Sequence, residues 1–214
     1  MHFLDLGVLK AVAIVVIIGT AVIGIYYLAG PLFYDTVVDE PLISGALSEL
    51  QKDLTYDKFV NMVDDQRKAL VDKMPLETID LVMAEAKKLT TIVSEDMQEM
   101  IAKVAPNSQE TPKFSKLGAF QGLKGHEATG KAEVISVGDI SFLRFEDFEV
   151  TNGPDLHVYM TKNGDVDSGI DLGKLKGNKG NQNYPLGEID TNVYNTVVIY
   201  CQPFHVYFAS AKLS

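Results

Sequence analysis

Three hydrophobic patterns follow one another along the chain. Residues 11–33 (AVAIVVIIGTAVIGIYYLAGPLF) run for 23 positions without a charge. About 20 such residues, at a rise of about 1.5 Å each, cross a bilayer core of about 30 Å, so the run predicts a transmembrane helix within residues 1–34. Residues 35–105 show helical spacing instead. Ile79, Met83, Ala86, Thr90, Val93, Met97, Met100 and Val104 recur at steps of 4 and 3, a heptad seam of more than three repeats. Pro75 suits the first turn of that helix, and Glu77 and Asp80 near its start complement the helix dipole. Thr55 reads as the N-cap of a second helix carrying Phe59, Val63, Leu70 and Met74, and Ile43, Leu47, Leu50 and Leu54 form a shorter seam. The break at residues 73–75 predicts helices that fold back on each other, giving an α-helical stalk or hairpin.

Residues 106–112 read as a linker, with prolines bracketing polar positions. Beyond it the period changes. KAEVISV, DISFLRFEDFEV, DLHVYM, NTVVIYC and FHVYFASA are β-branched or aromatic runs separated by turn residues, among them Gly138-Asp139, Asn152-Gly153-Pro154 and Asn163-Gly164-Asp165. Five or more short strands within residues 113–214 predict a mainly β domain, a β-sandwich or small barrel. The glycine-rich stretch 173–184 lacks the Lys-Ser/Thr pair of a phosphate loop and has no following helix, so it reads as a glycine-built connection. Val197, Ile199 and Cys201 share one strand parity, whereas Phe204, Val206 and Phe208 take the other. A turn or bulge at Gln202-Pro203 is therefore expected, with Cys201 at a strand end, a position that favours a rim.

Charge sharpens the division. The chain has 214 residues with 29 acids and 19 bases, and its mean hydropathy of +0.06 averages very different segments. Residues 35–112 hold 16 acids and 8 bases, while residues 113–214 hold 12 and 10. The acidic middle segment disfavours nucleic acid as a partner and suits a solvated face or self-association through its long seam. The apolar run is longer than a signal-peptide core and ends in Tyr-Tyr-Leu-Ala-Gly-Pro, which favours an uncleaved anchor. Lys10 before the run and Asp35, Asp39 and Glu40 after it place the amino terminus inside and residues beyond about 34 outside the cytoplasm. Tyr26, Tyr27 and Tyr34 fit the outer interface. Five methionines (62, 74, 83, 97 and 100) raise copper handling, but thioethers at this spacing are ordinary fillers of helix seams.

The single cysteine excludes an internal disulfide, a two-thiol redox motif and a four-cysteine zinc site. No acid pair, nucleophile–base arrangement or complete metal motif argues for hydrolysis or group transfer. Four stretches of the β region, residues 122–130 with His126, 142–160, 172–186 and 197–213, resemble the DM13 domain in order. That resemblance implies a cell-surface β domain of proposed electron-transfer function. Its signature cysteine, here Cys201, is suggested to act as a redox thiol or as a ligand to a prosthetic group such as haem. His126, Asp155 and His157 fall at signature positions. Ala209 stands where the family usually has glycine.

The residues themselves set bounds on that chemistry. A reactive thiol needs nearby positive charge or donors, and His205 is the near neighbour in sequence. A blue-copper centre needs two histidines, a cysteine and an axial ligand. Cys201 and His205 imitate one spacing, but four residues of regular strand would hold them about 13 Å apart, and no methionine follows. One cysteine suffices as an axial haem ligand, although no covalent attachment motif is present. Hydrogen bonding at the core or rim is the alternative role for His157, and His2 and His205 read as incidental. Two functions result: a membrane-anchored, extracytoplasmic redox module with a redox partner protein, or a non-catalytic surface binding or scaffolding module of a membrane complex with Cys201 structural.

Overall fold

The computed structural model describes residues 41–106 and 110–214, with side chains from residue 45 onward. The apolar run 11–33 and His2 lie outside the described residues. Within them, no helix is long and apolar enough to cross a membrane. Four helices come first: α1 (Pro41–Leu50), α2 (Tyr56–Val60), α3 (Asp64–Val71) and α4 (Leu76–Lys88). Thr55 caps α2 as expected, its side chain accepting from the Lys58 N–H, and the chain turns between α3 and α4 at residues 72–75. Leu47, Leu54, Phe59, Met74 and Val82 form a small core of their own.

The heptad seam is not one helix. Helix α4 ends at Lys88, residues Ile92–Ser94 form strand β1, and α5 (Met97–Val104) starts afresh. The physical reason lies in the β-branched run Thr90-Thr91-Ile92-Val93, whose last two residues, with Ser94, pair in parallel with a β-strand, β8 (Lys179–Pro185). The Thr91 N–H donates to Asn178 Oδ1 at 2.7 Å, and Asp96 restarts the helix by accepting from the Gln98 and Glu99 N–H groups. Both helical pieces keep a 3–4 spacing, so the seam survives in sequence while the backbone departs from it. The methionines are dispersed: Met74 belongs to the helical core, Met83 packs on the main β core, and Met97 and Met100 meet Ile135 and Phe142.

The C-terminal region is mainly β, as expected, and contains two five-stranded sheets. With β2 (Lys113–Ala119), β3 (Gln121–Gly122), β4 (Ala128–Val137), β5 (Ile140–Val150), β6 (Leu156–Lys162), β7 (Asp165–Lys174), β9 (Thr196–Cys201) and β10 (Val206–Lys212), the sheet orders are β1-β8-β5-β4-β2 and β3-β10-β9-β6-β7. Both contribute to one core that includes Val134, Leu143, Phe145, Val158, Met160, Ile199 and Phe208. The predicted turns at Gly138-Asp139 and Asn163-Gly164 close hairpins, and positive φ at Asn163 and Gly164 suits the two-residue β6–β7 loop. The stretch 173–184 is only partly a connection, because β8 lies within it. This strand is polar and still buried at residues 182–184: Gln182 bonds both the N–H and the carbonyl of Gly177, and the Tyr184 hydroxyl donates to Gln182. Those bonds offset the desolvation that made the segment look like a loop.

Strand β9 is buried along its whole length. Val197, Ile199 and Cys201 face the main core, while Val198 and Tyr200 face a second cluster with Val166, Tyr159 and Tyr207. The chain breaks at residues 202–205, as parity required, with His205 in the left-handed region. Residues 42–214 form one compact unit, so the described helical residues are packed with the β region. Phe59 of α2 stacks on Phe204 of that turn, with ring centroids 5.9 Å apart.

Candidate functional site

The turn before β6 carries the sequence Asn152-Gly153-Pro154-Asp155. Gly153 is required by close approach, since a Cβ there would stand 2.5 Å from the Phe208 ring. Asp155 adopts φ 55, a conformation that aspartate tolerates better than most residues, and its side chain is 2% exposed. A carboxylate so buried needs compensating charge. Three cations supply it. Arg67 of α3 places Nη2 2.5 Å from Oδ2 in an ion-pair contact outside hydrogen-bonding geometry, Lys174 of β7 lies 2.8 Å from Oδ1, and His157 Nε2 lies 3.5 Å from Oδ1. The other face of His157 meets Asp171 of β7, with Nδ1 2.8 Å from Oδ2. Gln202 donates to Asp171 and to the Tyr159 hydroxyl, which ties the turn after β9 to the same cluster.

These contacts decide the protonation states. Burial alone would raise the Asp155 pKa, but the nearby His157 and Lys174 and the charge of Arg67 outweigh it and hold the acid at about 2. Burial opposes protonation of His157 as well, yet Asp155 and Asp171 bring its pKa up to about 9. At neutral pH the site is therefore an alternating cluster of cations and carboxylates.

Cys201 sits one strand away, paired in register with Leu156. Its end-of-strand position agrees with the sequence; its expected rim position does not. The thiol is 0% exposed and donates to the Pro154 carbonyl at 3.0 Å. The inward parity of β9 explains this, because residue 201 continues the core-facing row of Val197 and Ile199. Burial pushes the thiol pKa up to about 12, and the Asp155 charge works in the same direction. His126 stands apart in the β3–β4 connection, stacked on Phe208 at 3.7 Å between ring centroids. Burial and Lys87 lower its pKa. His205 bonds through Nδ1 to the Tyr200 hydroxyl at 3.1 Å.

The structure thus brings Asp155, His157 and Cys201 into one neighbourhood and leaves His126 outside it. Arg67, Asp171, Lys174 and Gln202 join the cluster without having been singled out in the sequence. One signal could have found Arg67: the chain has two arginines among 19 bases, and both are buried. Arginine is the cation suited to such buried ion pairs.

Haem or copper does not fit the residues as they are placed. The Cys201 sulfur points into packed core, His157 is bonded to Asp171 through Nδ1 while its Nε2, which has no hydrogen-bond partner, faces Asp155 at 3.5 Å, and His126 is stacked on an aromatic ring. Among the described residues, no group of three or more His, Cys, Asp or Glu side chains is arranged to hold a metal ion.

A two-sheet β domain with a buried cysteine beside a charged Asp–His pair is the class of protein defined by these features. Residues 119–213 match the family described as electron transfer DM13, so the C-terminal region carries a DM13 domain. The match spans less than half of the chain and does not extend to the helices before it. No curated protein and no solved structure gave a match.

Proposed function

We propose that this chain is a membrane-anchored, extracytoplasmic DM13-domain protein with a redox-related role. The observation that carries the redox part is the DM13 match over residues 119–213. The uncharged run 11–33 and its flanking charges support the anchor and its orientation. Cys201 is the candidate redox thiol within this reading. As packed, it lacks the thiolate character and access that thiol chemistry needs. Its use therefore requires an opening of the helices beside it, where Arg67 contacts Asp155 and Phe59 packs on the 202–205 turn.

The burial of Cys201 and its bond to Pro154 favour a second reading, a non-catalytic binding or scaffolding module in which the thiol is structural. Protein-film voltammetry on the full chain separates the two. The redox reading expects a reversible signal that disappears in Cys201→Ala. Absence of a signal, in wild type and in an Arg67→Ala variant that loosens the helical contact, leaves the scaffolding reading.

A further inference from the structure

A groove on the outer side of the second sheet shares Arg67 and Gln202 with the charged cluster but is not lined by Cys201. It lies between α3 and strands β6, β7 and β9, and encloses about 330 Å³. Three rings line it. Tyr159 and Tyr200 stand nearly perpendicular, at 80° with centroids 5.8 Å apart, and the His205 ring is inclined at 61° to Tyr200 at 6.2 Å. Tyr207 backs Tyr200 at 5.0 Å and 74°, which fixes the ring that forms the central wall. The tyrosine hydroxyls are already engaged, Tyr159 with Gln202 and Tyr200 with His205, so the rings rather than free hydroxyls are what these residues bring to the groove. Val166, 8% exposed, adds an apolar wall beside them.

The charges around the groove have a definite sign. Arg67 is committed to Asp64 and Asp155, and Lys68 to Asp72. Asp65 and Asp167 also line the groove, and neither forms an ion pair among the described residues. The field of Asp167 reaches the Tyr200 hydroxyl, where burial, Tyr207 and Asp167 together push the pKa up to about 12. Mutually inclined rings attract cations through their quadrupoles, carboxylates repel anions, and apolar walls suit methyl groups.

We propose that this groove is a binding site for a methylated ammonium group, held by Tyr159, Tyr200 and His205 and neutralised by Asp167. The proposal is independent of the redox reading and survives its failure. A free methylammonium compound and a choline head group present the same chemistry.

Isothermal titration calorimetry on the full chain in a choline-free detergent tests it, with choline as the probe and 3,3-dimethylbutan-1-ol as its neutral isostere. Choline is expected to bind about tenfold more tightly than the isostere, the factor that one moderately desolvated cation–π site supplies. Asp167→Asn, a change at an exposed position, is expected to weaken choline about threefold and leave the isostere unchanged. Tyr159→Leu is expected to abolish the preference for choline; if that variant does not fold, the isostere ratio and Asp167→Asn still decide. Phosphocholine distinguishes the sources: affinity equal to choline points to a head group, and weaker affinity to a free compound. Equal binding of choline and the isostere, no measurable binding of choline at millimolar concentration, or tighter binding of N-acetyl-lysinamide than of choline overturns the proposal.

Discussion

Two polar junctions tie the segment before the DM13 domain to the β region, and each is built on one of the chain's two arginines. The first joins Arg67 to Asp155, with His157, Lys174 and Asp171 around it. The second joins Arg144 to the Glu95 carbonyl at 3.3 Å and to Asn183 and Glu146, while Lys176 holds Glu95 at 2.7 Å and the Asn183 carbonyl at 2.6 Å. They differ in exposure. Arg67 and Asp155 side chains are 3% and 2% exposed, whereas the second junction joins a buried arginine, Arg144, to an outer ion pair, Lys176–Glu95, that is 38% and 35% exposed. Water can replace a lost partner of the Lys176–Glu95 pair. At the first junction it cannot, so every charge there depends on the others.

The largest expected effect follows from that dependence. Asp155→Ala leaves Arg67 buried with one carboxylate fewer and is expected to cost about 3–5 kcal/mol in urea unfolding of the full chain. Arg67→Ala belongs to the same range. A cost below about 1 kcal/mol for both would make the first junction no different from the second.

A pH titration sharpens the same contrast. The His157 pKa is raised from 6.5 to about 9 by its carboxylates. A raised folded-state value contributes stability that is complete below about 6.5 and is lost as pH climbs through 9. The Asp155 pKa is lowered from 3.8 to about 2, so its contribution is complete above about 3.8 and is lost as pH falls through 2. Stability should therefore be flat between about pH 4 and 6.5 and decline on both sides, by about 3 kcal/mol on the alkaline side. His157→Gln is expected to remove the alkaline decline. An unchanged alkaline limb in that variant would assign the decline to other groups.

Cys201→Ala removes a buried sulfur and is expected to cost about 1 kcal/mol in the same unfolding assay, independently of redox conditions. The smallest effect belongs to the second junction. Lys176→Met is expected to change stability by less than about 1 kcal/mol, and added salt should erase most of the difference.

The sequence made the β region legible where alternation and turn chemistry agreed. Asn163-Gly164 marked a hairpin, and the parity change around Pro203 marked the end of β9. It misled where two periods coincided or where side-chain bonds overrode composition. The heptad seam ran straight through β1, because Val93 occupies a position that a helix and a strand can both use. Polar β8 read as loop, since burial of Gln182 and Asn183 depends on partners far away in sequence. Cys201 was placed correctly along its strand, but the side chain's direction followed from the core-facing parity of Val197 and Ile199, a row already visible in the sequence. Arg67 and Asp171 reached the site from α3 and β7 through tertiary packing that no local pattern records.

The central claim is that Cys201 is sealed in the folded chain beside the Arg67–Asp155 junction. The rate at which a maleimide labels Cys201 in the full chain at neutral pH, in wild type and in Arg67→Ala, tests it most directly. The structure predicts labelling of wild type only as fast as the protein opens, with a marked acceleration in the variant. Rapid stoichiometric labelling of the native wild-type chain would contradict it.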